Sequence, residues 1–302
     1  MKLVVFGTSA FAVPTFEAVA DRHTIVAVVT QPDRPAGRGH ALAPTPVKAA
    51  ALARGLSVST PERLLPFADE LRALAPDAYV VASYGRIVPP SLLGLVPLAV
   101  NVHPSLLPLY RGATPLQSAI RDGRRETGLT IIAMDAGMDT GDVLLQEHTP
   151  LGPDETYGEL HDRLALRGAA LAVEALARYA DGTLERRPQA EVARALGIDA
   201  AEIAATVTHP LRKDDLSVDW TQPPTRIVDL VRALAPRPLA RARLGGETVK
   251  LLAARLAGPG ESDGTTTADG GAVRHGVVLL RVVPPSRAAM SGAAWRGSVA
   301  HS

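Results

Sequence analysis

Short β-branched runs alternate with segments of helical period across the first 150 residues, and few folds accommodate that pattern. Strands are expected at 3–6, 24–30, 78–83 and 99–103, with helices at 14–20, 47–54, 67–75 and 116–122. Such alternation implies right-handed βαβ units and a mostly parallel, Rossmann-like sheet. Two further strands, 129–134 and 143–147, flank a turn rich in Gly and Asp at 135–142. Open sheets of this class hold ligands at the carboxyl ends of their strands, so the loops that follow those ends carry the chemistry.

The pattern then changes. Thr156 and Glu159 form a Thr-x-x-Glu capping box that opens a long helix with Leu160, Leu164, Leu171 and Ala175 on one side and Gly182 at its end. A polar, Ala-rich stretch from 185 to about 210 reads as a linker with short helical pieces. Beyond it, strands at 218–220, 240–244, 248–252 and 276–283 and one helix at 227–234 predict a β-rich second domain with a Gly-, Thr- and Asp-rich loop at 258–271. The expected divisions are 1–186, 187–208 and 209–302. The uncharged stretch 87–110 contains five prolines together with Asn101 and His103, which argues against a membrane helix.

The chain has no cysteine, which excludes disulfides, thiolate metal sites and thiol nucleophiles and fits a reducing, cytoplasmic setting. Chemistry must therefore come from His, carboxylates, amides or hydroxyls. Asn101 and His103 stand at i and i+2 at the end of a buried-type strand, so their side chains leave the same face. An amide offers a donor for a developing oxyanion, and an imidazole can move a proton near neutral pH. Asp135, Asp139 and Asp142 crowd one turn; one of them can sit beside His103, and periodicity does not choose which. The turn lacks calcium-loop spacing, and the other histidines do not form metal-ligand spacings, so no metal is expected. Gly7 alone of a dinucleotide fingerprint follows the first strand, so no nicotinamide cofactor is expected.

Charge is unevenly distributed. From Leu211 onward 13 basic residues face 8 acidic ones, against 19 and 23 in the rest of the chain, which points to a polyanionic partner for the C-terminal part. The loop 31–40 follows the second strand; its Gly and Pro residues disfavour regular structure, and it offers Arg34 and Arg38 to phosphates or backbone oxygens.

Four segments together resemble the methionyl-tRNA formyltransferase family: 6–12, 31–39, Asn101 to Pro108 with Arg111-Gly112, and Met138 to Asp142. The resemblance extends through Asp219-Trp220 to 290–297. It implies a formyltransferase fold followed by an OB-like barrel. It also implies transfer of the formyl group of 10-formyltetrahydrofolate, a co-substrate, to the α-amino group of initiator methionyl-tRNA; a monomer with no membrane partner is expected. By the same resemblance Asn101, His103 and Asp139 are catalytic. Ser105, Leu106, Leu107, Pro108, Tyr84, Gly85 and Ile87 would line the folate site. Arg34, Arg38, Arg232, Arg237, Arg241 and Arg243 would meet tRNA. Only Trp220 and Trp295 are aromatic after Leu211, so base stacking in that domain is expected to be weak. Sugar-nucleotide N-formyltransferases and 10-formyltetrahydrofolate hydrolases share the catalytic trio and stand as the alternative reading.

Overall fold

The first apolar run becomes strand β1 (Lys2–Gly7), whose residues from Leu3 to Phe6 are buried on both faces, as a central parallel strand requires. A computed structural model describes residues 1–36 and 41–299 of the chain, so Arg38 lies outside the described residues. The strands that follow in the first half are β2 (Thr24–Val29), β3 (Arg34–Ala36), β4 (Ala41–Ala43), β5 (Val58–Ser59), β6 (Ala78–Ala82), β7 (Leu98–His103), β8 (Glu126–Ala133) and β9 (Val143–Pro150). Seven of them form one sheet in the order β5-β2-β1-β6-β7-β8-β9. Pairings from β5 through β7 are parallel, and β7 pairs β8 antiparallel, with Asn101 opposite Ile132 and His103 opposite Thr130.

The order reverses between β1 and β6, and the carboxyl ends of those strands open the crevice where doubly wound sheets receive ligands. Beneath them Val4, Phe6, Leu71, Tyr79, Tyr84 and Leu92 belong to one apolar core, with Phe6 edge-on to both tyrosines at 5.2 and 5.5 Å. Arg34–Ala36 are more regular than the Gly and Pro content of their loop suggests, because β3 and β4 pair as a small antiparallel ribbon. Thr156 and Glu159 cap the helix Tyr157–Ala180 reciprocally: Thr156 N–H donates to Glu159 Oε2 at 2.9 Å, and Glu159 N–H donates to Thr156 Oγ1 at 3.4 Å. That first hydrogen bond holds the Glu159 carboxyl below its ordinary value.

Two units emerge from the contacts. The first comprises Met1–Ala113, Thr127–Thr149 and His161–Thr208; the second comprises Thr114–Glu126, Pro150–Leu160 and His209–Ser302. The stretch 187–208 holds short helical pieces. It carries the helices Gln189–Leu196 and Ala200–Ala205, and Arg187 exchanges two backbone hydrogen bonds with Val143 of β9.

The second unit is built on strands β10 (Ala240–Leu244), β11 (Glu247–Leu256), β12 (Ala272–Arg274), β13 (Val277–Val283) and β14 (Met290–Ser291). They form an antiparallel sheet in the order β10-β11-β13-β12, with β14 on β13. Helix Pro224–Leu234 supplies Ile227, Val231 and Leu234 to a core shared with Ala240, Val249, Leu251, Val282 and Trp295. Residues 218–220 are not a strand: Asp219 caps a turn by accepting from Thr221 N–H at 2.9 Å and Oγ1 at 2.7 Å, which takes the chain out of extended pairing. Among the described residues no helix is long and apolar enough to cross a membrane.

Arg255 on β11 clasps the 258–271 loop by donating to Glu261 at 2.7 Å from both terminal nitrogens and to Asp269 at 3.0 Å. These bonds hold Glu261 and Asp269 each at about 2. Because the folded values lie below the unfolded ones, the clasp is complete above the ordinary carboxylate range and is lost as pH falls through about 2. Carboxyl-detected NMR titration should give midpoints near those values in the wild type and near ~4 in Arg255→Gln. An ordinary midpoint in the wild type would refute the clasp.

Candidate active site

Alternation along β7 sends the Asn101 and His103 side chains out together, and both meet one carboxylate. Asn101 Nδ2 donates to Asp139 Oδ1 at 3.2 Å, while His103 Nδ1 lies 3.6 Å from Asp139 Oδ2. Asp139 Oδ2 also accepts the Gly112 N–H at 2.9 Å. The other edge of the imidazole faces the Tyr110 carbonyl, 2.9 Å from Nε2, so Nε2 carries a proton and donates it there. That bond leaves Nδ1 as the ring atom turned toward the carboxylate. His103 is only 4% exposed, and the surrounding backbone fixes its ring plane.

The turn after β8 distinguishes its aspartates by what each one bonds. Asp135 is spent on the turn itself, accepting from Gly137 N–H at 3.0 Å and from Thr140 Oγ1 at 2.8 Å. Gly141 lets the chain pass β8 closely, since a Cβ there would lie 1.7 Å from the Ala133 carbonyl oxygen. Asp139 has φ 56, a left-handed conformation that Asp tolerates better than most residues. Its main chain is held from the 187–208 stretch: Gln189 Nε2 donates to the carbonyls of Asp139 and Gly141, each at 2.8 Å. Gln189 Oε1 accepts from Arg111 Nε at 3.0 Å and Nη2 at 2.6 Å. Burial lowers the Arg111 pKa from its usual value, and the negative charge of Asp139 opposes that shift. Thr208 fastens the same segment, donating from its N–H (2.7 Å) and its Oγ1 (3.0 Å) to the Arg111 carbonyl. Sequence reasoning missed Gln189 and Thr208; the available signal was a Pro188-Gln189 pair in a stretch otherwise rich in Ala.

The segment after β7 is braced rather than free. Thr130 Oγ1 donates to the Ser105 carbonyl at 2.7 Å and accepts from Leu107 N–H at 3.1 Å. Gln146 Nε2 donates to the Leu107 carbonyl at 2.9 Å. Ser105, Leu107 and Pro108 are buried, while Leu106 is half-buried. Ser105 Oγ donates to the Leu109 carbonyl at 2.7 Å. At the end of β6 the Tyr84 ring belongs to the core, which raises its hydroxyl pKa, and its carbonyl accepts from Thr8 Oγ1 and Gln31 Nε2, each at 2.8 Å. Gly85 takes φ 75 against Gln31, where a Cβ would lie 2.5 Å from Nε2. Ile87 is 78% exposed. Of the seven folate-lining candidates, Ile87 and Leu106 are thus the apolar side chains that solvent reaches.

The basic candidates separate. Arg34 is exposed and donates to Gln31 Oε1 at 2.7 Å. Arg237 and Arg243 are exposed, and Arg241 is half-buried beside Lys250, its partner across β11. Arg232 differs from the other candidates in its burial: it is 8% exposed, pairs with Asp229 at 2.9 Å and reaches the carbonyls of Gly152 and Glu155 at 3.2 and 3.3 Å. Its Nε and Nη1 are committed inside the second unit. Among the described residues no group of three His, Asp or Glu side chains is placed to hold a metal.

A family model described as formyl transferase matches residues 1–176, and one described as formyl transferase, C-terminal domain, matches residues 210–298. A methionyl-tRNA formyltransferase of Chloroflexus aggregans is 44% identical over 313 residues, covering 99% of this chain and 97% of that protein. Among solved structures, an N-formyltransferase from Helicobacter canadensis in complex with folinic acid and dTDP-3-aminofucose shares the fold with a TM-score of 0.66 at 18% identity, covering 92% of this chain and 98% of that one. HypX from Aquifex aeolicus in complex with tetrahydrofolic acid aligns with a TM-score of 0.63 at 19% identity; 99% of this chain spans about half of it, 47%.

The brace beneath the Ser105 to Pro108 loop can be tested directly. Thr130 is fully buried, so Thr130→Val leaves the Ser105 carbonyl and the Leu107 N–H short of a partner. We expect a loss of about 1–3 kcal/mol in denaturant unfolding. A change below ~0.5 kcal/mol would show the brace to be dispensable.

Proposed function

We infer the reaction from one premise: the chain belongs to the methionyl-tRNA formyltransferase family, whose members carry out folate-dependent formyl transfer. We propose that it transfers the formyl group of 10-formyltetrahydrofolate to the α-amino group of initiator methionyl-tRNA, as a cytoplasmic monomer active in translation initiation. The observation that carries this reading is the convergence of Asn101, His103 and the Gly112 N–H on the Asp139 carboxylate.

Each residue has a role that its contacts support. An aminoacyl α-amine, with a pKa near or below ~7.7–8.0, is substantially neutral at physiological pH and can attack the formyl carbon directly. Asn101 keeps a second Nδ2 hydrogen beyond the one given to Asp139, and His103 turns Nδ1 to the same side. With His103 in its imidazolium form, which carries a proton on Nδ1 as well as Nε2, the two donors are then set to receive the oxygen that becomes negative as the carbon turns tetrahedral. Asp139 takes the proton that the attacking nitrogen loses. Asp139 then returns that proton to the folate nitrogen as its bond to the carbon breaks, so protons and charge balance across the transfer. The residues present fit the donor: Ile87 and Leu106 offer apolar surface, and the braced 105–108 backbone offers fixed polar groups beside the crevice.

For tRNA we propose phosphate contacts from Arg34, Arg38, Arg237, Arg241 and Arg243, joined by Lys250. On β10 the alternating Ala240, Ala242 and Leu244 are buried, so Arg241 and Arg243 share the opposite face. Stacking contributes little, since Trp295 is 7% exposed in the core and Arg274 covers Trp220 at 4.9 Å. We place the catalytic domain at 1–186 with 187–208 attached to it, and the tRNA-binding domain at 209–302.

The decisive assay supplies charged initiator tRNA, uncharged tRNA and amino-sugar nucleotides, with and without 10-formyltetrahydrofolate. Formyl-methionyl-tRNA should form only from the charged tRNA and only with the donor. Formylation of the sugar alone, or hydrolysis of the donor alone, would overturn the reading in favour of the alternative enzymes. Asn101→Ala should lower the rate on the order of 100- to 1,000-fold. Affinity for tRNA should fall linearly in log–log coordinates with salt, and Arg243→Gln should reduce the slope by about one.

A further inference from the structure

Gln189 is 5% exposed and both ends of its amide are engaged. The nitrogen holds the carbonyls of Asp139 and Gly141, and the oxygen holds the Arg111 guanidinium at two points. These partners belong to the two segments whose meeting defines the site. One is the turn that carries the Asp139 carboxylate with a left-handed backbone. The other is 110–112, which supplies the carbonyl that orients His103 and the N–H that Asp139 accepts. An amide donates and accepts from one planar group, which neither a carboxylate nor a thioether of the same length can do.

We propose that Gln189 is a positioning residue: it sets the Asp139 carboxylate against His103 by tying its turn to Arg111. The proposal rests on the reading of Asp139 as the group that serves formyl transfer. Gln189 touches no reacting atom in this arrangement and acts through the Asp139 main chain. The choice of a neutral acceptor for Arg111 follows from the same geometry. Glutamate at this position would accept from Arg111 but donate nothing to the two carbonyls, and it would bring a second negative group close to Asp139. Methionine would fill the same space and make none of the four bonds.

Full-length Gln189→Met and Gln189→Glu separate positioning from gap filling. For each, kcat and KM for the folate donor and for charged initiator tRNA are measured well below the unfolding midpoint, together with hydrogen exchange over 110–113 and 135–142. We expect kcat to fall about 10- to 100-fold, both KM values to stay within about three-fold, and exchange protection to drop in those two segments. A kcat within about two-fold of wild type in either folded variant overturns the proposal, as does a loss confined to KM. If Gln189→Met does not fold, Gln189→Glu decides by the same criteria, since it retains the volume and the Arg111 contact. Wild-type protein that forms no formyl-methionyl-tRNA defeats the functional reading instead, and the exchange data still report whether Gln189 orders the two segments.

Discussion

A carboxylate that is largely shielded from water has to be answered by donors, and the arrangement around Asp139 meets that requirement. Its side chain is 14% exposed, and its two oxygens receive an amide N–H and a backbone N–H within 3.2 Å. Each donor imposes a condition elsewhere. For Asn101 to reach it, β7 must end with the correct face turned outward. For Gly112 to reach it, the chain after Tyr110 must adopt φ 105, and a Cβ there would lie 2.1 Å from the Thr208 carbonyl oxygen. The glycine and the close approach of 208 are therefore consequences of where the carboxylate sits.

The sheet alone does not deliver Asp139 to that place. β8 runs antiparallel to β7, and its last residue, Ala133, stands opposite Val100, having already passed His103 and Asn101. The 134–142 turn has to come back along β7, and it does so with Asp135 closing the turn internally and Gly141 passing against the Ala133 carbonyl. Two of the three aspartates in this turn thus divide the work: Asp135 shapes the loop so that Asp139 can face the imidazole. The rule that ligands gather at carboxyl ends of parallel strands describes β1, β6 and β7, and it is silent about a residue delivered from an antiparallel neighbour.

This accounts for how far the amino-acid pattern could be read. Buried, β-branched runs made β1, β2, β6 and β7 legible, and simple alternation placed Asn101 and His103 on one face. Choosing among Asp135, Asp139 and Asp142 required the direction of β8 and the internal bonding of the turn, neither of which is periodic. Gln189 was invisible for a different reason. Apart from Pro188 beside it the stretch is largely polar or Ala, its partners are main-chain carbonyls and one arginine 78 positions away, and no periodicity marks such long-range amide bonding. Residues 218–220 look like a strand by composition, yet the side-chain bonds of Asp219 outcompete extended pairing.

Arg232 shows why counting charge overstates a binding surface. It lies one position from Val231 on the buried side of helix Pro224–Leu234, and its stem is covered while its head is spent on Asp229 and two carbonyls. Arg226 gives a guanidinium bond to the Arg121 carbonyl at 2.9 Å, and Arg255 is committed to Glu261 and Asp269. Three of the 13 basic residues after Leu211 therefore serve the second unit's own structure. Among the basic residues that remain, Arg241 and Arg243 stand two residues apart on one strand, with Lys250 across from the first. Spacing along a strand, rather than a diffuse positive field, is the property by which this face would select a regular phosphate backbone.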